Sequence, residues 1–417
     1  MCRLMINGAK PLFGKIHVQG SKNAVLPIMA ATLLTKSECT IHNCPEISDV
    51  YSAMQILTSL GCKVHLHQST LTIAANGVCK STIKKELMQK MRSSVMFLGA
   101  MLSRCGEAQI CMPGGCRLGS RPIDIHIDAL KRLGAEIDEN GDCITCRLSK
   151  VSAGKIILLY PSVGATENIM LMSAISDGIC EIYNPAREPE IVDLQNFLNA
   201  MGADISGAGS DLIVIRGVPR LCGCEYSVMP DRIVAATCLL ASAACGGEVK
   251  LSGILPEGIS MITEILERTG CNIFCEDTAV TVSRRMRQIA VPSIKTLPYP
   301  GFPTDVQPIL AAYLATANGT SEINELIFDG RFGYTKELKK MGADIRLKNN
   351  RIQIYGVEAL KGCEVHSADL RGGAALVVAG LSAEGETSVS GLEYIDRGYE
   401  KIEENFRRLG ADITRVM

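Results

Sequence analysis

Leu60-Gly61-Cys62-Lys63-Val64 is the first of six near-copies of one phrase. The phrase returns as Leu133-Gly134-Ala135-Glu136-Ile137, Met201-Gly202-Ala203-Asp204-Ile205 and Thr269-Gly270-Cys271-Asn272-Ile273. Met341-Gly342-Ala343-Asp344-Ile345 and Leu409-Gly410-Ala411-Asp412-Ile413 complete the series, with successive glycines 68 to 73 residues apart. Each copy follows an amphipathic helical pattern and precedes an alternating one. The glycine therefore reads as a left-handed helix cap from which the chain turns into a strand. A period of about 70 residues makes the chain an array of supersecondary units.

Each unit holds a second helix of another kind, small and apolar nearly all round: residues 24–34, 95–102, 169–175, 233–244, 306–317 and 372–381. Helices of that composition are buried on every side. With β segments between the two helix types, each unit reads as an α/β sandwich element. The ends of the chain complete one another. Ile6-Asn7-Gly8 to Leu12-Phe13-Gly14 resembles Ile215-Arg216-Gly217 to Leu221-Cys222-Gly223 and Ile354-Tyr355-Gly356 to Leu360-Lys361-Gly362. The sixth unit stops just after Ile413, where this piece belongs, so the first strands are expected to pack with the last. Three units and three give one domain of residues 22–229 and another of 1–21 plus 230–417.

Two domains suit a chain of 417 residues, which exceeds what one hydrophobic core organises. A hydrophobic share of 47% with 21% charged residues describes an ordered globular protein. Net charge of −1 gives no electrostatic reason to expect nucleic acid as a partner. No apolar run reaches membrane-spanning length, so no membrane insertion is expected. Met1-Cys2-Arg3-Leu4 opens no secretion signal, and a cytoplasmic location is expected. The 18 cysteines are scattered, as in Cys143-Ile144-Thr145-Cys146, and read as reduced core fillers with one exception.

The exception is Cys116 in Pro113-Gly114-Gly115-Cys116-Arg117-Leu118-Gly119-Ser120-Arg121-Pro122-Ile123-Asp124. Flanking guanidinium charge draws a thiol toward neutrality and makes it a usable acid or nucleophile. The starts of the buried helices are polar as well: Gly20-Ser21-Lys22-Asn23, Arg92-Ser93-Ser94, Ser162-Val163-Gly164-Ala165, Pro230-Asp231-Arg232, Pro303-Thr304-Asp305 and Asp369-Leu370-Arg371. Ser, Thr, Asp and Asn there serve as caps. Lys22, Arg92 and Arg371 do not, because a cation at a helix N-terminus opposes the macrodipole unless an anion lies between them. Strongly anionic ligands, phosphate above all, are the expectation, and Arg331 and Arg397 add cationic charge.

Taken together, these segments resemble the enolpyruvyl transferase family, and within it the branch that acts on a nucleotide sugar. The likeness spans essentially the whole chain and includes Ala186-Arg187-Glu188-Pro189-Glu190, Phe302-Pro303-Thr304-Asp305, Ala368-Asp369-Leu370-Arg371 and Ile395-Asp396-Arg397-Gly398-Tyr399. It implies two inside-out α/β domains, each of three repeated units around buried helices. The implied substrates are phosphoenolpyruvate and UDP-N-acetylglucosamine, with no cofactor and no metal. Lys22, Arg121 and Arg397 would hold phosphoenolpyruvate. Asn23, Arg92, Arg121, Pro122, Ile123, Asp124, Ile125, Ser162, Val163, Gly164, Asp305 and Ile327 would lie along the sugar nucleotide, with Arg331, Asp369 and Arg371 beside them. Asp305 would act as general base and Cys116 as general acid. The loop would also be a target for a small anionic epoxide such as fosfomycin.

Two positions depart from the family pattern. Val234 stands where an acidic residue is usual, and Asp329-Gly330-Arg331-Phe332-Gly333-Tyr334 lacks the family's amide and histidine. A shikimate-type transferase shares the fold, but the Cys116 loop and Lys22-Asn23 favour the nucleotide sugar. A weakened paralogue that only binds sugar nucleotide is a further alternative, against which Lys22, Cys116, Asp305 and Arg397 are all retained.

Overall fold

The computed structural model describes residues 2–111, 123–140 and 143–416. These fall into two compact units, one running from Gly20 to Met229 and the other taking both chain ends, up to Gln19 and from Pro230 onward. Each unit is built around three buried helices. In the first they are Lys22–Ala31, Phe97–Cys105 and Val163–Ser173, the second of which packs against both others. In the second unit Arg232–Cys245, Gln307–Leu314 and Leu370–Ser382 pack on one another. Every side chain from Ile233 to Ala244 is buried. Hydroxyls survive there by bonding to their own helix: Thr237 Oγ1 donates to the Ile233 carbonyl at 2.8 Å and Ser242 Oγ to that of Cys238 at 2.7 Å.

Sheets wrap these helices, six among the described residues. In five of them a parallel edge strand is followed by antiparallel neighbours. Glu225–Ser227 runs parallel to Glu38–His42, which pairs antiparallel with Thr70–Ala74, and that in turn with Lys63–His67. The last sheet keeps this pattern with strands from both chain ends: Arg3–Asn7 lies antiparallel to Glu386–Ser390 and to Asp412–Val416. Leu12–His17 runs parallel to Gly247–Ser252. Alternating burial along the strands, such as that of Arg3–Asn7, turns one face to the helices and leaves the other exposed.

All six repeated glycines are left-handed, from φ 108° at Gly61 to φ 90° at Gly410. Gly61 caps the Ser48–Leu60 helix by donating to the carbonyls of Leu57 and Thr58. A Cβ on Gly61 would meet the Gly77 carbonyl oxygen at 2.3 Å, whereas one on Gly342 meets nothing within 4 Å. Gly342→Ala is therefore expected to cost only left-handed strain, about 1 kcal/mol. Gly61→Ala adds a backbone collision and is expected to cost roughly 2–4 kcal/mol. Urea denaturation of the two variants measures the difference.

The cysteines are mostly packing residues. Burial pushes the Cys62 thiol up to about 12 and Cys146 to about 11. Thiols so placed are inert. One pair corrects the reading of reduced core fillers: Cys111 and Cys143, cross-strand neighbours with Cα atoms 4.0 Å apart, are joined as a disulfide. Cys143 and Cys146 are three residues apart on one strand, so they face opposite ways and cannot share a metal.

Asp193 ties down the end of the first unit, accepting from Tyr226 Oη at 2.7 Å and from the Met229 backbone N–H at 3.2 Å. Burial lifts its carboxyl from 3.8 to about 6, against those hydrogen bonds and with help from Glu190. An acid raised in the native state stabilises it below the unfolded value and loses that contribution as pH climbs through the native one. Between about pH 4 and about pH 7.5 the loss comes to roughly 2 kcal/mol. Asp193→Asn is expected to remove this slope, which denaturation at the two pH values detects.

Candidate active site

Asp305 stands just before the Gln307–Leu314 helix and is half-buried, its side chain 27% exposed. Arg331 Nη2 donates to Oδ1 at 2.7 Å, while Arg371 donates to Oδ2 from Nε at 3.1 Å and from Nη2 at 2.9 Å. Burial alone would raise the Asp305 carboxyl. The Arg371 and Arg331 guanidiniums overcome it and hold the group well below the usual carboxylate range. Asp305 is thus ionised at any working pH, the state a base requires, though its two partners weaken its pull on a proton. Among the described residues Arg331 Nε is buried with no hydrogen-bond partner, a spare donor at a cationic centre.

Arg371 belongs to the first turn of the Leu370–Ser382 helix, whose cap Asp369 accepts from the Arg371 N–H at 3.1 Å and the Gly372 N–H at 2.8 Å. Lys22 opens the Lys22–Ala31 helix behind the Ser21 cap and meets Asp49 Oδ2 at 2.8 Å, with side chains 11% and 2% exposed. These pairs place protein anions at two of the helix starts. The anions that accompany Lys22 and Arg371 are side chains of the protein, Asp49 and Asp305, because buried cations require counter-charge. Nothing in the local sequence around Ser48-Asp49-Val50 connects it with a lysine 27 residues earlier. Only the topology does.

Ser162 caps the Val163–Ser173 helix, its Oγ accepting from the Ala165 N–H at 3.4 Å. Gly164 is needed for a reason the sequence did not disclose: a Cβ there would lie 2.6 Å from Cε1 of His126. His126 is fixed in turn by Asn168, whose Oδ1 accepts from the Gly99 N–H at 2.7 Å and whose Nδ2 donates to the Val95 carbonyl at 3.2 Å and to His126 Nδ1 at 2.9 Å. Neutral His126 therefore carries its proton on Nε2. Beside it, burial first, then Glu190 and Glu188, keep the Glu167 carboxyl well above the usual range.

Ile123 is buried directly before the Asp124–Arg132 helix, in which Asp124 is exposed and Ile125 half-buried. Arg92 begins the short Arg92–Met96 turn, and Asn23 is half-buried in the first helix. Ile327 is half-buried, and Arg397 follows Asp396, which Arg415 grips with two nitrogens at 2.7 and 2.9 Å. Cys116, Arg121 and Pro122 lie outside the described residues. Of the two departures, Val234 is 3% exposed inside the core. Tyr334 is also buried, its Oη accepting from Gln307 Nε2 at 2.7 Å, and burial holds its phenol above the ordinary range. It is an uncharged packing group.

Residues 6–406 match the family EPSP synthase (3-phosphoshikimate 1-carboxyvinyltransferase). UDP-N-acetylglucosamine 1-carboxyvinyltransferase 2 of Caldanaerobacter subterraneus subsp. tengcongensis is 48% identical over 417 residues, covering 100% of both chains. The chain belongs to this enolpyruvyl transferase family. UDP-N-acetylglucosamine 1-carboxyvinyltransferase 1 of Carboxydothermus hydrogenoformans is 45% identical, covering 100% of this chain and 99% of its own. The crystal structure of the enolpyruvyl transferase NikO from Streptomyces tendae superposes with a TM-score of 0.89 over 100% of this chain and 99% of that one. At 24% identity the last is a likeness of fold. As an enolpyruvyl transferase the chain has the α/β architecture described above. Among the described residues no helix is long and apolar enough to cross a membrane.

Proposed function

We propose that this chain transfers the enolpyruvyl group of phosphoenolpyruvate to the 3′-hydroxyl of UDP-N-acetylglucosamine with release of phosphate. We place that reaction in the cytoplasm, as the first committed step of peptidoglycan synthesis. The observation that carries the reading is end-to-end identity of 48% and 45% with two UDP-N-acetylglucosamine 1-carboxyvinyltransferases.

The chemistry follows from the residues. Asp305 takes the proton of the sugar 3′-hydroxyl while that oxygen bonds to C2 of phosphoenolpyruvate. Cys116 delivers a proton to the C3 methylene, and the double-bond electrons form the new C–H bond. The product is a tetrahedral phospho-ketal. Breaking its C2–O bond to phosphate, with loss of a C3 proton, restores the vinyl group as an enol ether. Lys22, Arg121 and Arg397 counter the carboxylate and phosphate charge through both steps. The hydroxyl and the two arginines compete for the same Asp305 oxygens. A ligand that draws off either guanidinium therefore strengthens the base at the moment of use.

Val234 and Tyr334 leave the Asp305–Arg331–Arg371 contacts standing. This favours a working enzyme over a paralogue that only binds. Phosphate release from phosphoenolpyruvate, run with UDP-N-acetylglucosamine, with shikimate 3-phosphate and with neither, tests the reading. Release with the sugar nucleotide alone is expected. Release only with shikimate 3-phosphate, or none at all, would overturn it.

A further inference from the structure

Glu325 follows the Thr320–Asn324 strand, and its side chain is completely buried. A carboxylate in such a place is tolerable only when its oxygens are bonded. Here four donors serve it. Oε1 accepts from Thr296 Oγ1 at 2.8 Å, from the Ile327 N–H at 2.9 Å and from the Phe328 N–H at 3.1 Å. Oε2 accepts from Thr304 Oγ1 at 2.9 Å. One acceptor-only group thereby joins two segments that are also tied by the Arg331–Asp305 pair. The first is the turn that presents Asp305, the neighbour of Thr304. The second runs from Ile327 to Arg331, which closes the circuit by pairing with Asp305 at 2.7 Å.

We propose that Glu325 is a positioning residue for the transfer: its split carboxylate sets Asp305 and Ile327 relative to each other, without touching the reacting atoms. The inference rests on the reading of Asp305 as the group that faces the acceptor hydroxyl. A carboxylate suits the task because it offers acceptor sites on both oxygens and no donor. In Glu325→Gln the amide oxygen stays with the backbone N–H groups, which cannot reverse. The amide nitrogen then faces Thr304, whose hydroxyl can turn round. The fold survives while the arm to Asp305 changes its hydrogen-bond sense. Small displacements of a reacting group are enough to slow chemistry severely.

The two arms are separable by substitution. Thr304→Val cuts the arm to Asp305, whereas Thr296→Val cuts the arm to the neighbouring strand and removes the acceptor of the Leu326 N–H, leaving the Thr304 arm in place. Steady-state phosphate release by the full chain, with phosphoenolpyruvate and UDP-N-acetylglucosamine varied in turn, is measured beside thermal melts. Thr304→Val and Glu325→Gln are expected to lower kcat by about tenfold or more while KM for either substrate stays within about twofold. Thr296→Val is expected to lower Tm and leave kcat within about twofold. If Thr304→Val turns over like the wild type, or if kcat in all three variants merely tracks Tm, Glu325 is a structural staple and the proposal is wrong. A wild-type chain that releases no phosphate with the sugar nucleotide would instead refute the transfer reading, and this inference with it.

Discussion

Asp305→Asn is expected to lower turnover by about a thousandfold, within the range that loss of a general base produces. The change keeps the shape of the side chain and removes its charge. An amide cannot accept the proton of the acceptor hydroxyl. It also strips the counter-charge from Arg331 and Arg371, which are only 2% and 4% exposed at the side chain. Removing one member of such a buried group typically costs about 3–5 kcal/mol, so the variant should also unfold at lower urea. Single-turnover phosphate release at saturating substrates separates the two effects, since a folded variant still slow at saturation has lost chemistry. The pH behaviour follows from the sign of the shift. A carboxyl depressed in the native state contributes stability above the ordinary carboxylate range and loses it only as pH falls below that range. No acid limb of the activity profile between about pH 5 and about pH 8 should therefore belong to Asp305.

Lys22→Met is expected to reduce kcat/KM for phosphoenolpyruvate by about a hundredfold or more, the scale of a lost charge-assisted contact to an anion in a sheltered site. Besides the proposed contact with phosphoenolpyruvate, Lys22 makes a 2.8 Å pair with Asp49 that is part of the fold. The single variant leaves a nearly buried carboxylate without that cation and should be destabilised as well. Asp49→Leu in the same chain removes the mismatch. The double variant is expected to recover most of the lost stability and none of the lost phosphoenolpyruvate affinity. Recovery of both would mean that Lys22 serves only as the partner of Asp49. Kinetics with phosphoenolpyruvate varied, set beside urea curves for the two variants, decide between these outcomes.

The architecture was legible because its signals are local and repeated. Gly61 and its five counterparts must be left-handed to cap their helices, a need any single copy announces weakly and six copies announce together. Helices such as Ile233 to Ala244 declare their burial by lacking a polar face. The pairing of Arg3–Asn7 with Asp412–Val416 could be inferred from the strand missing at one end and spare at the other. The site was legible only as a list of residues. Lys22, Asp305 and Arg371 stood out by type and place, but their partners did not. Arg371 reaches Asp305 across 66 residues and Lys22 reaches Asp49 in another element, so these two helix-start cations carry protein anions that the sequence did not disclose. His126 against Gly164, and Glu325 beneath Asp305, were invisible for the same reason. Gly164, which the resemblance sets along the sugar nucleotide, also leaves room for the His126 imidazole ring. The disulfide between Cys111 and Cys143 likewise depends on strand register, which spacing alone does not disclose.

One measurement tests the whole account: mass spectrometry of the sugar nucleotide after reaction with phosphoenolpyruvate in deuterated water. The account predicts UDP-N-acetylglucosamine carrying an enolpyruvyl ether, with deuterium in part of the vinyl methylene, because a solvent-derived proton is added at C3 before another is lost. An unmodified sugar nucleotide would contradict the assigned acceptor, and an ether free of deuterium would contradict the addition–elimination route built on Asp305 and Cys116.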